Sequence, residues 1–291
     1  MRSILTATLA TAFILGGLAP ALAQTEGQTT QTPAASNPPP AQEDDPDRDV
    51  NLAQPDFTLA ALPTTLRMPR YRSSFRVTHR FGRPLGQGDF GDLLGDLFGL
   101  DGGAVIGLEY RFGLFRGAQV GIHRTSGDKT IQFMGQYSFF RQGDGSPFGL
   151  DVLAAIEGPD NFTESYSPTL GALLSYQAGD RAALYFEPMF VNNSNRLPEE
   201  LVDDNSTFMI GLGARLRLLR TVYVFVEGAP RAAGHDPGVT HASFGIEKRS
   251  GGHLFQLNFS NSLATTFGQL ARGGFDNDDW HLGFNISRKF F

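Results

Sequence analysis

A side-chain period of two, repeated about twelve times, constrains this 291-residue chain more than any other feature. From Thr207 to Leu219, the residues Phe208, Ile210, Leu212, Ala214, Leu216 and Leu218 share one parity. Met209, Gly211, Gly213, Arg215 and Arg217 share the other. An α-helix cannot separate those two sets, whereas a strand does so because successive side chains point to opposite faces. Thr130 to Phe140 and Ala104 to Phe112 alternate in the same way. The pattern predicts strands at 74–82, 103–113, 116–124, 129–140, 147–158, 165–178, 180–192, 206–219, 221–228, 241–249, 252–260 and 279–291. Most are near the ~9–11 residues that a tilted strand needs to cross a bilayer.

The connections alternate too. Arg83–Gly102, Asn193–Asn205, Ala229–Thr240 and Asn261–Asp278 are long, and Thr125–Asp128 and Pro159–Glu164 fall at the same end. The intervening gaps Leu114–Phe115, Arg141–Ser146, Gly179, Arg220 and Ser250–Gly251 are tight. An up-and-down barrel with both termini on one side produces this pattern, with short periplasmic turns and longer outer loops. The expected fold is therefore all-β, an antiparallel transmembrane β-barrel of about twelve strands over residues 71–291, preceded by a disordered tail.

Alternation alone does not say which face is wet. One face is almost wholly Phe, Leu, Ile, Val and Ala, and only 19% of the chain is charged. Turned inward, so broad an apolar face would demand a very large core; turned outward, it forms a continuous lipid band over a polar lumen. The expected neighbours are outer-membrane lipids, and Tyr110, Phe112, Phe139, Tyr166, Tyr176, Trp280 and Phe290 lie near strand ends where aromatic girdles sit. The lumen-lining candidates are Arg76, Arg80, Glu109, Arg111, Asp151, Glu157, Glu187, Arg215, Arg217, Glu227 and Glu247, with His123 beside them. Both signs are present, so the lumen carries no strong field of one sign. Such side chains either pack the lumen as ion pairs or line a path for a polar solute.

Upstream, Arg2, the apolar run Ile4 to Leu18 and Ala21-Leu22-Ala23 form a secretory signal peptide over 1–23. Residues 24–70 read as a disordered periplasmic linker. Thr25 to Asp49 in particular is rich in Gln, Thr, Pro, Ala and Asp and cannot bury enough apolar surface to order itself. The chain has no Cys, which excludes disulfides, lipidation after cleavage and thiol chemistry. A formal charge of −6 gives no footprint for nucleic acid. The His spacing suggests no metal site, and no cofactor is expected.

Two outer loops break the alternation. Phe90, Leu93, Leu94, Leu97 and Phe98 lie on one face of a short amphipathic helix, and Leu263, Phe267 and Leu270 show a weaker version. Either element would plug the barrel mouth, lie on the outer leaflet or pack on its neighbours. A lipid-hydrolysing rim would need a Ser and a His facing lipid. His123 with Ser126, His241 with Ser243, and His281 sit in no recognisable motif, so no enzyme is expected.

The last segment, Trp280 to Phe291, resembles the C-terminal strand signal of outer-membrane proteins. Trp280, Leu282, Phe284 and Ile286 share parity with Phe290, which makes Phe291 an extra residue. Ser74 to Gly82, Phe98 to Ala104 and Glu109-Tyr110-Arg111-Phe112-Gly113 resemble the opening of an uncharacterised family of bacterial outer-membrane-type β-barrels, a domain of unknown function. That resemblance implies a barrel and no activity. The functional expectation is a narrow pore or channel for small polar solutes in the outer membrane of a Gram-negative bacterium. The alternatives are a closed structural or docking barrel that binds unknown periplasmic or extracellular partners through its loops or tail, and a rim hydrolase. The barrel-assembly machinery is an expected partner for any such chain.

Overall fold

Strand after strand forms where the period of two predicts it. A computed structural model describes residues 45–99, 102–195, 197, 201, 204–276 and 278–291. The signal peptide over 1–23 and the first part of the linker lie outside the described residues.

The strands are β1 (Ser73–Pro84), β2 (Ala104–Phe115), β3 (Ala118–Thr125), β4 (Ile131–Phe140), β5 (Gly149–Gly158), β6 (Ser167–Ala178) and β7 (Ala182–Asn192). They continue as β8 (Ser206–Leu219), β9 (Val222–Ala229), β10 (Arg231–Gly234), β11 (His241–Ser250), β12 (His253–Ser260) and β13 (His281–Lys289). Each pairs antiparallel with its neighbour, and β1 pairs with β13, with Ser74 opposite Lys289. The ring is thus a closed antiparallel barrel of twelve strands. The thirteenth, β10, continues β9 beyond Pro230 and pairs only with β8. A proline has no N–H to give the ladder, so the strand is interrupted there and resumes in the same register, with Arg231 opposite Met209, before a shift between Arg231 and Ala233. This continuation falls in what the sequence reading assigned to an outer loop.

The faces divide as expected. Ile106, Leu108, Phe133, Leu170, Leu184, Phe186, Leu212, Val226, Ile246 and Phe255 point outward and are exposed to what would be lipid. Aromatic rings gather at both ends of this band. Phe115, Tyr137 and Phe139 pack together near the short-turn end, and Phe244, Phe259 and Trp280 near the loop end. Phe290 continues the outward parity of β13, and its N–H donates to the Ser73 carbonyl at 2.9 Å. No described helix is long and apolar enough to cross a membrane, as is usual for chains that cross with strands.

The largest departure from the sequence reading concerns residues 45–70, which are not a disordered linker. Residues 53–64 are buried inside the barrel. They enter from the short-turn end, where Arg141 pairs with Asp47 at 2.9 Å, and double back as a hairpin. Thr58 bridges Pro63, the Leu59 N–H donates to the Leu62 carbonyl at 2.8 Å, and Ala60 and Ala61 form the tip. The returning arm leads out through Arg67 to β1. Composition predicts disorder for a segment left to bury its own surface. This one is ordered by a wall that already exists.

Candidate functional site: the plugged lumen

The lumen is built from the inward parity of every strand, and the hairpin is its guest. Arg76, Arg80, Glu109, Arg111, Asp151, Glu157, Glu187, Arg215, Glu227 and Glu247 are all buried on the inner face. Arg217 shares their parity but lies half-buried near the short-turn end of β8. The inner face has room for a guest because several of its positions are glycine. A Cβ at Gly213 would overlap a Leu59 methyl group, and one at Gly113 would overlap the Pro69 carbonyl.

The wall meets the hairpin chiefly through the hairpin's backbone. Glu227 accepts N–H bonds from Ala60 at 2.9 Å, Ala61 at 3.0 Å and Leu62 at 3.2 Å. The Ala60 carbonyl accepts from Arg76 and Arg80, both at 3.2 Å, and from Asn285 at 3.1 Å. Arg215 donates to the Thr58 carbonyl at 2.7 Å, Gln256 to Leu59 at 3.1 Å and Gln136 to Thr64 at 2.8 Å. A hairpin at the centre of a barrel has no strand beside it, and buried backbone groups must find partners. Here the wall side chains supply them.

Other wall charges pair with one another. Arg215 and Glu247 form an ion pair with one hydrogen bond at 2.9 Å and a second close N–O contact at 2.8 Å, and Gln256 also donates to Glu247. Glu109 accepts from Arg111 at 2.6 Å, with Arg76 and His123 each 3.6 Å away. Asp151 accepts from Gln136 at 2.6 Å. Glu187 is fully buried, and neither of its oxygens has a hydrogen-bond partner among the described residues.

The loop end is filled by a second insertion. The connection after β12 turns inward and forms α1 (Phe267–Ala271), numbered here as the inward helix of the barrel mouth. Its first N–H groups are capped by the wall: Phe267 donates to Gln132 and Gly268 to Glu157, both at 2.9 Å. Phe267 and Leu270 join Leu59 and Leu62 of the hairpin in one apolar cluster with Met134, Leu153, Leu173, Met189 and Met209. Outside this seal a cavity of about 690 Å³ opens, bordered by Val105, Asn195, His235, Gln269, Arg272 and Phe275. The stronger amphipathic pattern behaves differently. Residues Phe90–Gly95 form a helix capped by Asp89, yet Phe90, Leu94 and Leu97 stay exposed outside the barrel.

The Ser and His residues considered for lipid chemistry do not face lipid together. His123, His241, Ser243 and His281 are buried on the lumen side. His241 links the two insertions: its Nε2 lies 3.1 Å from Glu227 and its Nδ1 2.7 Å from the Ser262 hydroxyl.

The family comparison agrees with a membrane-bound barrel. The chain belongs to the membrane bound beta barrel domain family (DUF5777). The family model matches residues 57–290, so it starts within the hairpin and takes in the tip. The protein is accordingly an outer-membrane barrel. Among solved structures, the NanC porin is 8% identical over 75% of this chain and 99% of its own, with a TM-score of 0.49. The Acinetobacter baumannii outer membrane protein Omp33 is 9% identical over 76% of this chain and 98% of its own, with a TM-score of 0.45. An outer membrane channel from Pseudomonas putida F1 is 11% identical over 77% and 97%, with a TM-score of 0.44. No curated relative matches the sequence.

Proposed function

We propose that this protein is a gated channel for small polar solutes, closed in the described state by its own N-terminal hairpin. The observation that carries the reading is the nature of the contacts that hold the hairpin. Glu227, Arg80, Arg215, Asn285, Gln256 and Gln136 bind its backbone groups, and Arg76 binds the Ala60 carbonyl as well as the Thr58 hydroxyl. Water or a polar solute can take over such contacts when the hairpin leaves, since protein–water bonds replace protein–protein bonds at small net cost. The wall left behind is polar and of mixed sign, a path suited to small polar solutes.

A second reading rests on the apolar seal of Leu59, Leu62, Phe267 and Leu270, which suits a permanently closed docking barrel. Single-channel recording on the chain from Gln24 to Phe291, with and without Ala61→Pro, separates the two. That substitution removes the N–H that Ala61 gives to Glu227 and leaves the wall intact. The channel reading expects rare openings of the unaltered chain and frequent discrete steps with A61P. Silence from A61P, with folding shown by heat-dependent gel mobility, would refute it.

A further inference from the structure

We infer that the wall around the hairpin tip is a binding site for a free α-amino acid, and that the tip occupies this site as a built-in substitute. The inference deepens the channel reading, on which its role as a solute site rests.

Two buried charges of opposite sign meet the tip, and neither has a full counter-charge. Arg80 is buried within the wall. It donates to neutral oxygens: the His79 carbonyl at 3.2 Å, the Asn285 side chain at 2.9 Å and the Ala60 carbonyl at 3.2 Å. No carboxylate lies within ion-pair distance of Arg80 among the described residues. Glu227 is equally buried and holds backbone amides and one ring nitrogen of His241, with no Arg or Lys in ion-pair range among the described residues. Taking a charge out of water costs several kcal/mol unless a partner of opposite charge repays it. Neutral peptide groups repay only part.

The two charges address the two backbone groups of one residue. The Ala60 N–H donates to Glu227 and the Ala60 carbonyl accepts from Arg80, Arg76 and Asn285. A free α-amino acid, with its ammonium and carboxylate on one Cα, fits the same poles with real charges. Its ammonium replaces the Ala60 N–H against Glu227, and an oxygen of its carboxylate replaces the Ala60 carbonyl against the guanidinium groups. Charge-assisted bonds of this kind are about twice as strong as neutral ones. Covalent attachment keeps the hairpin in place despite its weaker match, because a tethered group acts at high effective concentration. A neutral sugar would satisfy neither pole.

The test is calorimetric titration of the full A61P chain in detergent with L-alanine, after hydrogen exchange at residues 58–64 shows that the hairpin has loosened. Leu59→Asp replaces A61P if it has not. The expected result is saturable binding in the millimolar range, at least about tenfold weaker for uncharged N-acetyl-L-alanine methylamide. Adding Glu227→Gln weakens L-alanine binding by the same factor, and Arg80→Gln provides a second variant should the first not fold. Absence of saturable binding, or equal binding of the uncharged analogue, overturns the inference. Bilayer recording on the same samples keeps the two ideas apart. Binding without conductance retains the site and removes the channel, and conductance without binding does the reverse.

Discussion

Replacing Glu227 with Ala removes the acceptor that holds the hairpin tip, and the structure gives the size of the effect. Three backbone N–H groups, those of Ala60, Ala61 and Leu62, lose their partner while still enclosed by the wall. A buried donor left unpaired costs about 1–3 kcal/mol. The carboxylate leaves a polar space that water can enter, so the low end applies, about 1 kcal/mol for each amide. The sum of about 3 kcal/mol raises the released population of the hairpin roughly a hundredfold, because about 1.4 kcal/mol is tenfold. Native-state hydrogen exchange in nanodiscs reads this directly. Amides of residues 58–64 should exchange about a hundredfold faster, while amides of β5 and β6, which pair with each other away from Glu227, keep their protection. A change below about threefold at the hairpin would show that the three contacts do not hold it. Equal loss of protection in β5 and β6 would show that Glu227 supports the barrel rather than the hairpin.

Thr65 and Ser175 have hydroxyl oxygens 2.5 Å apart, so a Thr65→Cys, Ser175→Cys pair should form a disulfide that ties the hairpin to β6. Oxidised protein should stay silent in a bilayer at voltages where the reduced protein opens. Removing one partner of the buried Arg215–Glu247 pair, as in Arg215→Met, should destabilise the barrel by about 3–5 kcal/mol. Removing both with Glu247→Leu should cost less than the two single changes added together, read as a double-mutant cycle by urea titration. At the short-turn end, burial pushes the Asp47 carboxyl above its ordinary range against the pull of Arg141 and Arg67. The folded form therefore holds its proton more tightly, and attachment of residues 45–49 weakens as pH rises from the ordinary Asp value through the raised one. A spin label at position 49 should gain mobility over that window, and Asp47→Asn should abolish the change.

The barrel was legible because its signal is repetitive and local. Each strand must present one face to lipid and one to the lumen, and Phe208 to Leu218 on β8 shows that demand without reference to any other segment. The plug was not legible by the same means. Pro55 to Leu66 has too few residues to build a sheet of its own, and its order comes from groups some 160 residues away in the chain, such as Glu227. Two signals did mark it. Phe57, Leu59, Leu62, Leu66 and Met68 set this stretch apart from the polar, proline-rich residues before it. The glycines at 113, 211 and 213, all on the inner parity, leave volume in the lumen that something must fill. The two outer-loop helices differ for a similar reason. Residues 89–96 carry Asp89, Asp92 and Asp96, which keep that helix in water, whereas the stretch 261–275 contains no acidic residue and can be drawn into the mouth.

The two insertions that seal the lumen are not equivalent as gates. The mouth loop is fixed at both ends, by β12 and by β13, and its helix is pinned to Gln132 and Glu157 on the far wall. The hairpin joins the wall covalently at β1, and its backbone groups bond to wall side chains that water or a charged solute can satisfy in its place. Its apolar cost on leaving is chiefly Phe57, Leu59 and Leu62, about 1.5–3 kcal/mol each if fully exposed. A ligand binding the vacated wall about two-thousandfold more tightly than the closed form supplies the low end of that total. On the channel reading proposed above, a solute that reaches Arg80 and Glu227 opens the route it uses, and the mouth loop, held from two sides, sets the width of that route rather than its state.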